Sequence, residues 1–255
     1  MAQKICILGH KGGTGKTTLS HMLCHGMALL GQRAVAVLTD AEREPLSKEG
    51  RRYVTVDARS DEALVRVIEK LDSIDGWIGI IDGGANRIEL DQHLAGYADL
   101  VLLPFRDSQE DVRAVIKDLE RFPHAMAVPS QWPNNLWARR SADHLLAQQL
   151  DGLGERLLLP VSTVSASKML LEDPVPTRLP TVLNNACREL ARQVLEALHI
   201  VVAEAEAPVE TEVEPEPEAT PSVPESLPEE TAPEEPSLAG AHADGAEYDI
   251  SKEEV

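Results

Sequence analysis

The sequence predicts a doubly wound α/β domain with a mostly parallel sheet, and three observations carry that expectation. Short apolar runs recur without polar alternation, as strands covered on both faces require. Segments with the 3.6-residue apolar spacing of helices separate them. The first run, Ile5-Cys6-Ile7-Leu8, passes into a glycine-rich stretch, Gly9 to Thr18, and then into an amphipathic segment, Leu19 to Leu30. There is no internal repeat.

Taken in order, a first strand from about Gln3 is followed by a helix from Lys16 to about Leu30, closed by Gly31 as its C′ residue. Ala34 to Leu38 reads as a buried strand ending at Asp40, and Ala41 to Arg51 as an exposed polar loop. Tyr53 to Val56 is a short strand ending at Asp57. Ser60 then caps a helix with Leu64, Val67, Ile68 and Leu71 on one face. Trp77 to Ile81 is a continuous apolar strand that ends in Asp82-Gly83-Gly84, and a helix covers Ile88 to Tyr97. Leu100 to Pro104 is a further buried strand, with a helix from Asp107 or Ser108 to Phe122 after it. Ala125 to Val128 reads as a strand cut short by Pro129. Ser141 starts a helix to about Leu150, Arg156 to Leu159 is a weaker strand, and a last helix runs from about Thr181 to Ala203.

Composition divides the chain into residues 1–203, the expected globular domain, and 204–255, an acidic tail. The tail holds 17 acidic residues against one basic residue, Lys252, and so carries −16 of the formal −19 charge. The domain is close to neutral, so the acidic balance does not argue against nucleic-acid binding by it. Prolines and alanines interleave with the tail's glutamates, which predicts a disordered, self-repelling segment that cannot bury enough apolar surface to order itself. Tyr248 and Ile250 restore some apolar character near its end, and an inert solubilising tail and a docking peptide are both consistent with that pattern. Cys6, Cys24 and Cys187 form no CxxC pair and lie in apolar contexts, so buried free thiols are expected rather than a metal site. With no signal-peptide pattern and no membrane-length apolar run, a cytoplasmic protein is expected.

The chemistry concentrates in Gly9-His10-Lys11-Gly12-Gly13-Thr14-Gly15-Lys16-Thr17-Thr18. A strand, a glycine-rich loop ending in Gly-Lys-Thr and a helix form the context of a phosphate-binding loop. Glycines let backbone N–H groups turn towards a phosphate chain, and the helix N-terminus favours the same anion. Lys16 is then placed for the β- and γ-phosphate oxygens and Thr17 for Mg²⁺. His10 stands where the strict spacing has its first glycine; it is assigned no catalytic role. Ligands of such sheets lie beyond the carboxyl ends of the strands, where Gly9, Asp40 and Asp82 all fall. Taken alone, Asp40 also fits a loop cap.

Lys11 to Thr18, KGGTGKTT, resembles the deviant Walker A sequence of the ParA/MinD-type partition ATPases, closest to the small ParA-like proteins, with Lys11 as that family's extra lysine. The resemblance extends in order through Leu38-Thr39-Asp40 (first switch), Ile80 to Gly84 (Walker B and second switch) and Ala98 to Pro104. Asp40 to Leu46 is similar to the same segment of small ParA-like proteins of plasmid and conjugative systems. It implies a SIMIBI-type P-loop NTPase that uses ATP and Mg²⁺. Lys11, Gly12, Gly13, Thr14, Gly15, Lys16, Thr17 and Thr18 would hold the nucleotide, and Thr17 and, through water, Asp82 would hold the metal. Asp40 would orient the attacking water, with Lys11 and Lys16 as the other catalytic residues, Lys11 reaching across an ATP-bound homodimer. The implied activity is slow, partner-stimulated ATP hydrolysis that partitions or positions DNA or a large cargo. A ParB-like or adaptor protein, nonspecific DNA and a nucleoid-associated location go with it.

Three departures stand out: Leu38 replaces the family's second acidic residue, the Pro-Gln after the switch aspartate is missing, and the interval from Asp40 to Asp82 is short. They motivate an alternative, a slow or non-hydrolysing nucleotide-gated scaffold that recruits a protein partner. Arg139, Arg140, Arg156, Lys168, Arg178, Arg188 and Arg192 are the basic residues available to a DNA surface, mixed with acidic ones. The base-contacting residue is open among Ser130, Gln131 and Pro160. Cysteine spacing does not fit an iron–sulfur reductase, the tail lacks a tyrosine cluster, and its acidic end disfavours direct membrane binding.

Overall fold

The computed structural model describes residues 1–41, 44–84 and 87–201. The strands are β1 (Gln3–Ile7), β2 (Arg33–Leu38), β3 (Val54–Asp57), β4 (Trp77–Asp82), β5 (Leu100–Phe105) and β6 (Ala125–Pro129). The helices are α1 (Lys16–Leu29), α2 (Asp61–Asp72), α3 (Ile88–Tyr97), α4 (Gln109–Arg121), α5 (Leu136–Leu150) and α6 (Thr181–Ala197). One sheet in the order β3-β2-β4-β1-β5-β6 contains all six strands, and every pairing is parallel. This is the doubly wound α/β class that the apolar runs predict.

Alternation along the strands divides the core in two. Ile5, Ile7, Ala36, Ile80 and Leu102 pack with α1 and α6 on one face, whereas Cys6, Leu8, Val37, Ile81 and Leu103 pack with α2, α4 and α5 on the other. Helix α1 is buried on all sides from Leu19 to Met27. Helix α6 lies so close that a Cβ added to Gly26 would fall 2.0 Å from the Cys187 carbonyl oxygen. All three cysteines are free and buried, and burial raises their thiol pKa values, that of Cys187 to about 12.

Local chemistry sets most boundaries. Gly31, at φ 76°, donates to the Ala28 carbonyl and ends α1 as expected. Ser60 and Ser108 accept from the Ala63 and Asp111 N–H groups and start α2 and α4. Helix α5 begins at Leu136, ahead of the expected Ser141, because the Asn135 side chain accepts from the Trp137 and Ala138 N–H groups. Its first turn exposes Leu136 and Trp137, so apolar spacing gives no sign of it.

Two expectations need correction. Arg156 to Leu159 is not a strand: only Leu157 bridges to Ala127, after a 3₁₀ segment, Asp151–Arg156. The Arg156 guanidinium donates to the carbonyls of Leu119, Phe122 and Ala125 and fixes this stretch by its side chain instead. Helix α6 ends at Ala197 rather than near Ala203, because His199 turns left-handed at φ 56° and Ile200 donates back to Leu195. The acidic tail lies outside the described residues, as do Tyr248 and Ile250 and, in the expected polar loop and the switch segment, Glu42 and Arg43. Parallel register brings Ile7, Asp82 and Leu38 level with one another at the carboxyl edge of the sheet.

Candidate functional site

The chain leaves β1 through Leu8, whose N–H still pairs with the Leu102 carbonyl, and then turns over the edge of the sheet. Gly13 and Gly15 take φ values of 77° and 93°, the left-handed region in which a side chain is strained. Gly15 is the N-cap of α1 and offers no side-chain oxygen, nor is there an acidic residue in the first turn. The N–H groups at the start of that helix are therefore open to an external anion. A carboxylate supports the loop from below. Asp118 accepts the His10 N–H at 3.0 Å, and Asp91 is buried nearby, with its Oδ1 lacking a hydrogen-bond partner among the described residues. Burial pushes the Asp91 carboxyl up to about 6, against the opposing pull of Lys16 and Arg87. His10 itself is exposed.

The two lysines of the loop have opposite surroundings. Lys16 is 7 % exposed and donates from Nζ to the Gly9 and Lys11 carbonyls at 3.0 and 2.9 Å. Burial lowers its pKa, with Asp91 and Asp82 acting against that shift. The ammonium thus holds the loop in shape around the place where phosphate oxygens would accept from it. Lys11 is partly exposed and pairs with Asp111 and, at 3.2 Å, Glu110, both on α4 of the same chain. Its pKa is raised, chiefly by the hydrogen bond to Asp111. Thr14 is buried and its carbonyl accepts from the Ser130 hydroxyl at 2.6 Å, which ties the loop to the end of β6.

Three strand ends supply one cavity. Thr17, Asp40 and Asp82 line a space of about 200 Å³ together with His21, Glu44 and Arg59. Asp82 is 2 % exposed, and its Oδ1 accepts from Ser20 at 3.2 Å. Thr39 donates to the Asp82 carbonyl and accepts from Arg87, so the ends of β2 and β4 are linked. The residues fit the group that the motif calls for. Thr17 and Asp82 line one cavity with a hydroxyl and a carboxylate, and a magnesium ion bound largely by phosphate and water needs only such sparse protein ligation. Among the described residues, no cluster of three or more His, Cys, Asp or Glu side chains could hold a metal independently.

On the other side of the loop, Gly15, Thr18, Ser130, Gln131, Thr163 and Lys168 line a second space of about 290 Å³. Gln131 is held at φ 51°, and its amide nitrogen lies 2.8 Å from where a Cβ on Gly15 would stand. Ser130 and Gln131, two of the three base-contact candidates, therefore sit beside the loop, whereas Pro160 does not line this space. A hollow of about 350 Å³ between β3 and α2, lined by Val54, Val67 and Trp77, contains none of the loop residues.

Five of the seven basic residues of the second half have local partners. Arg156 is taken up by carbonyls, Arg139 and Arg192 pair with Asp143 and Glu189, Arg140 stacks over Trp137, and Arg188 bonds Asn185. Sequence reasoning missed Arg87, Ser20, Asp91, Asp111 and Asp118. Ser20 had a readable signal, since it lies one helical turn after Lys16.

No protein-family model matches this chain, and no curated protein matches its sequence. Solved structures do match. An ATP complex of a variant of Cyanothece McdA superposes with a TM-score of 0.52 at 14 % identity, covering 78 % of this chain and 97 % of that one. The septum site-determining protein MinD of Pyrococcus horikoshii, complexed with Mg-ADP, gives 0.53 at 15 % identity, with 76 % and 96 % covered. ParA of pNOB8, bound to nonspecific DNA, gives 0.52 at 14 % identity, with 77 % and 99 % covered. With its parallel sheet, glycine loop and aligned strand ends, the chain has the fold of the ParA/MinD-type ATPases.

Proposed function

We propose that residues 1–203 form a Mg²⁺-dependent ATPase that switches between nucleotide states to partition or position DNA or a large cargo, and that residues 204–255 are its acidic tail. The observation that carries this reading is the convergence of Thr17, Asp40 and Asp82 on one cavity beside Lys16. Lys16 exchanges loop carbonyls for β- and γ-phosphate oxygens without leaving its buried position. The open N–H groups of Gly15, Lys16, Thr17 and Thr18 take the remaining phosphate charge. Asp40 orients the water that attacks the γ-phosphorus. Thr17 and Asp82 hold Mg²⁺, which supplies charge neutralisation on the phosphates when bound. The space lined by Gln131 and Lys168 takes the base.

Lys11 belongs to a second stage. In a sandwich homodimer it leaves Asp111 and Glu110 and neutralises charge on the partner's phosphates. Nonspecific DNA and an adaptor protein act on that dimer. The neighbours' Mg-ADP, ATP and DNA complexes support the metal, the nucleotide and the nucleic acid in turn. No helix of the described residues is long and apolar enough to cross a membrane. A second reading, a nucleotide-gated scaffold with little or no turnover, is favoured by one observation: Lys11 is held by its own chain's acids.

ATP binding and turnover by wild type, Lys11→Ala, Lys16→Ala and Asp40→Ala, each with and without nonspecific DNA, test the proposal. Lys16→Ala is expected to weaken ATP binding by about a hundredfold or more, roughly 3 kcal/mol. Lys11→Ala and Asp40→Ala are expected to bind ATP but lose turnover. Equal turnover in wild type and Lys11→Ala would remove the cross-dimer role. Partner binding without any turnover in wild type would favour the scaffold.

A further inference from the structure

The first switch lacks two features that the resemblance leads one to expect, since Leu38 replaces an acidic residue and no Pro-Gln follows Asp40. The structure supplies another fixing. Arg87, just ahead of α3, donates one N–H to the Thr39 carbonyl at 2.8 Å and another to the Thr39 hydroxyl at 2.7 Å. That hydroxyl in turn donates to the Asp82 carbonyl at 2.7 Å. Gly84 makes room for the arrangement, because a Cβ there would fall 2.5 Å from Arg87 Nε. The Nε–H group is buried and has no acceptor among the described residues. The Thr39 hydroxyl thus joins the end of β2 to the end of β4 at the residue immediately before Asp40, and Arg87 holds Thr39 from the start of α3.

We propose that Arg87 is a positioning residue for the ATP hydrolysis described above, on which this inference rests. Its fork fixes the main chain at Thr39 and thereby aims Asp40 at the cavity shared with Thr17 and Asp82. The shape of the guanidinium matters as well as its charge. Its N–H groups diverge in one plane and reach a carbonyl and a hydroxyl of the same residue, whereas the donors of an ammonium all radiate from one nitrogen and form no planar fork. Because Asp82-Gly83-Gly84 ends β4 and Arg87 enters α3, the tie couples the two switches, and displacement of one is carried to the other.

The test compares wild type, Arg87→Lys, Thr39→Val and the double variant in the full chain. Amide exchange is measured without nucleotide, together with binding of a fluorescent ATP analogue and steady-state turnover. Exchange at residues 38–41 is expected to quicken by about tenfold or more in each variant, while α1 keeps its protection. Affinity for the analogue should stay within about threefold. Each single variant should lose about tenfold in kcat and the double less than the product of the two, since both cut the bond between Arg87 and the Thr39 hydroxyl. Unchanged exchange at 38–41 in Arg87→Lys, or losses that multiply in the double variant, would overturn the proposal. Absence of turnover in wild type would overturn the ATPase reading instead, and the exchange rates alone would then decide whether Arg87 fixes the switch.

Discussion

The glycine loop and the segment that follows β2 line the same cavity, yet they are held by opposite means. Every support of the loop is at least partly buried. Lys16 binds its carbonyls, Asp118 accepts the His10 N–H, and Ser130 fastens Thr14. Beyond Thr39, the segment after β2 is held largely at the surface. Arg51 donates to the Glu172 carbonyl, and Ser47 bonds Asp173 through its N–H at 2.9 Å and through its hydroxyl, all exposed, while the Arg51 bond to the Leu170 carbonyl is partly buried. A loop fixed from within is organised for its anion before the anion arrives. A segment held by exposed bonds is the part that opens at low cost.

The comparison can be tested hardest in the packing of α1, the helix that follows the loop. Gly26→Val forces α1 and α6 apart and is expected to cost about 2–3 kcal/mol, lowering the melting temperature by about 5–10 °C in thermal unfolding. An unchanged melting temperature would mean that α6 yields and that the loop does not depend on this packing. A smaller effect follows from Asp91. Its folded pKa, about 6, lies above the unfolded value, so the stability it contributes is present in acid and lost as pH rises through about 6. The chain should be more stable at pH 5 than at pH 7.5 by roughly 1–1.5 kcal/mol from this group, and Asp91→Asn should remove that part of the slope in denaturant titrations at the two pH values. The smallest global effect is expected from Arg51→Ala, under about 1 kcal/mol, although proteolysis between residues 44 and 53 should quicken several-fold. If Arg51→Ala lowers global stability as far as Gly26→Val does, the two regions are not held differently after all.

How much of this was legible depended on the distance between partners along the chain. The glycines, Lys16 and Thr17 are neighbours in sequence, and the strand and helix that frame them announce themselves by pattern. Strand ends were legible as well, because a charge such as Asp82 after an apolar run marks where burial stops. The starts of α2 and α4 were readable from Ser60 and Ser108, whereas that of α5 was hidden by the exposed Leu136 and Trp137. The supports of the site were not legible. His10 meets Asp118 across 108 residues and Thr39 meets Arg87 across 48, and no local spacing encodes such pairs. The lost strand at Leu157 has the same origin, since the contacts of Arg156 with three distant carbonyls, not propensity, decide its path.

The contact between Gly26 and Cys187 bears on how this loop could be reused. A strand, loop and helix cut from residues 1–31 would carry every residue proposed to touch phosphate, yet the helix would arrive with one face shaped to a partner left behind. A scaffold that receives the loop must present a backbone as close as the one α6 presents, or α1 will roll and turn the N–H groups away from their target. The smallest transplantable unit is therefore the loop with both of its helices, although the second of them contributes nothing to the chemistry.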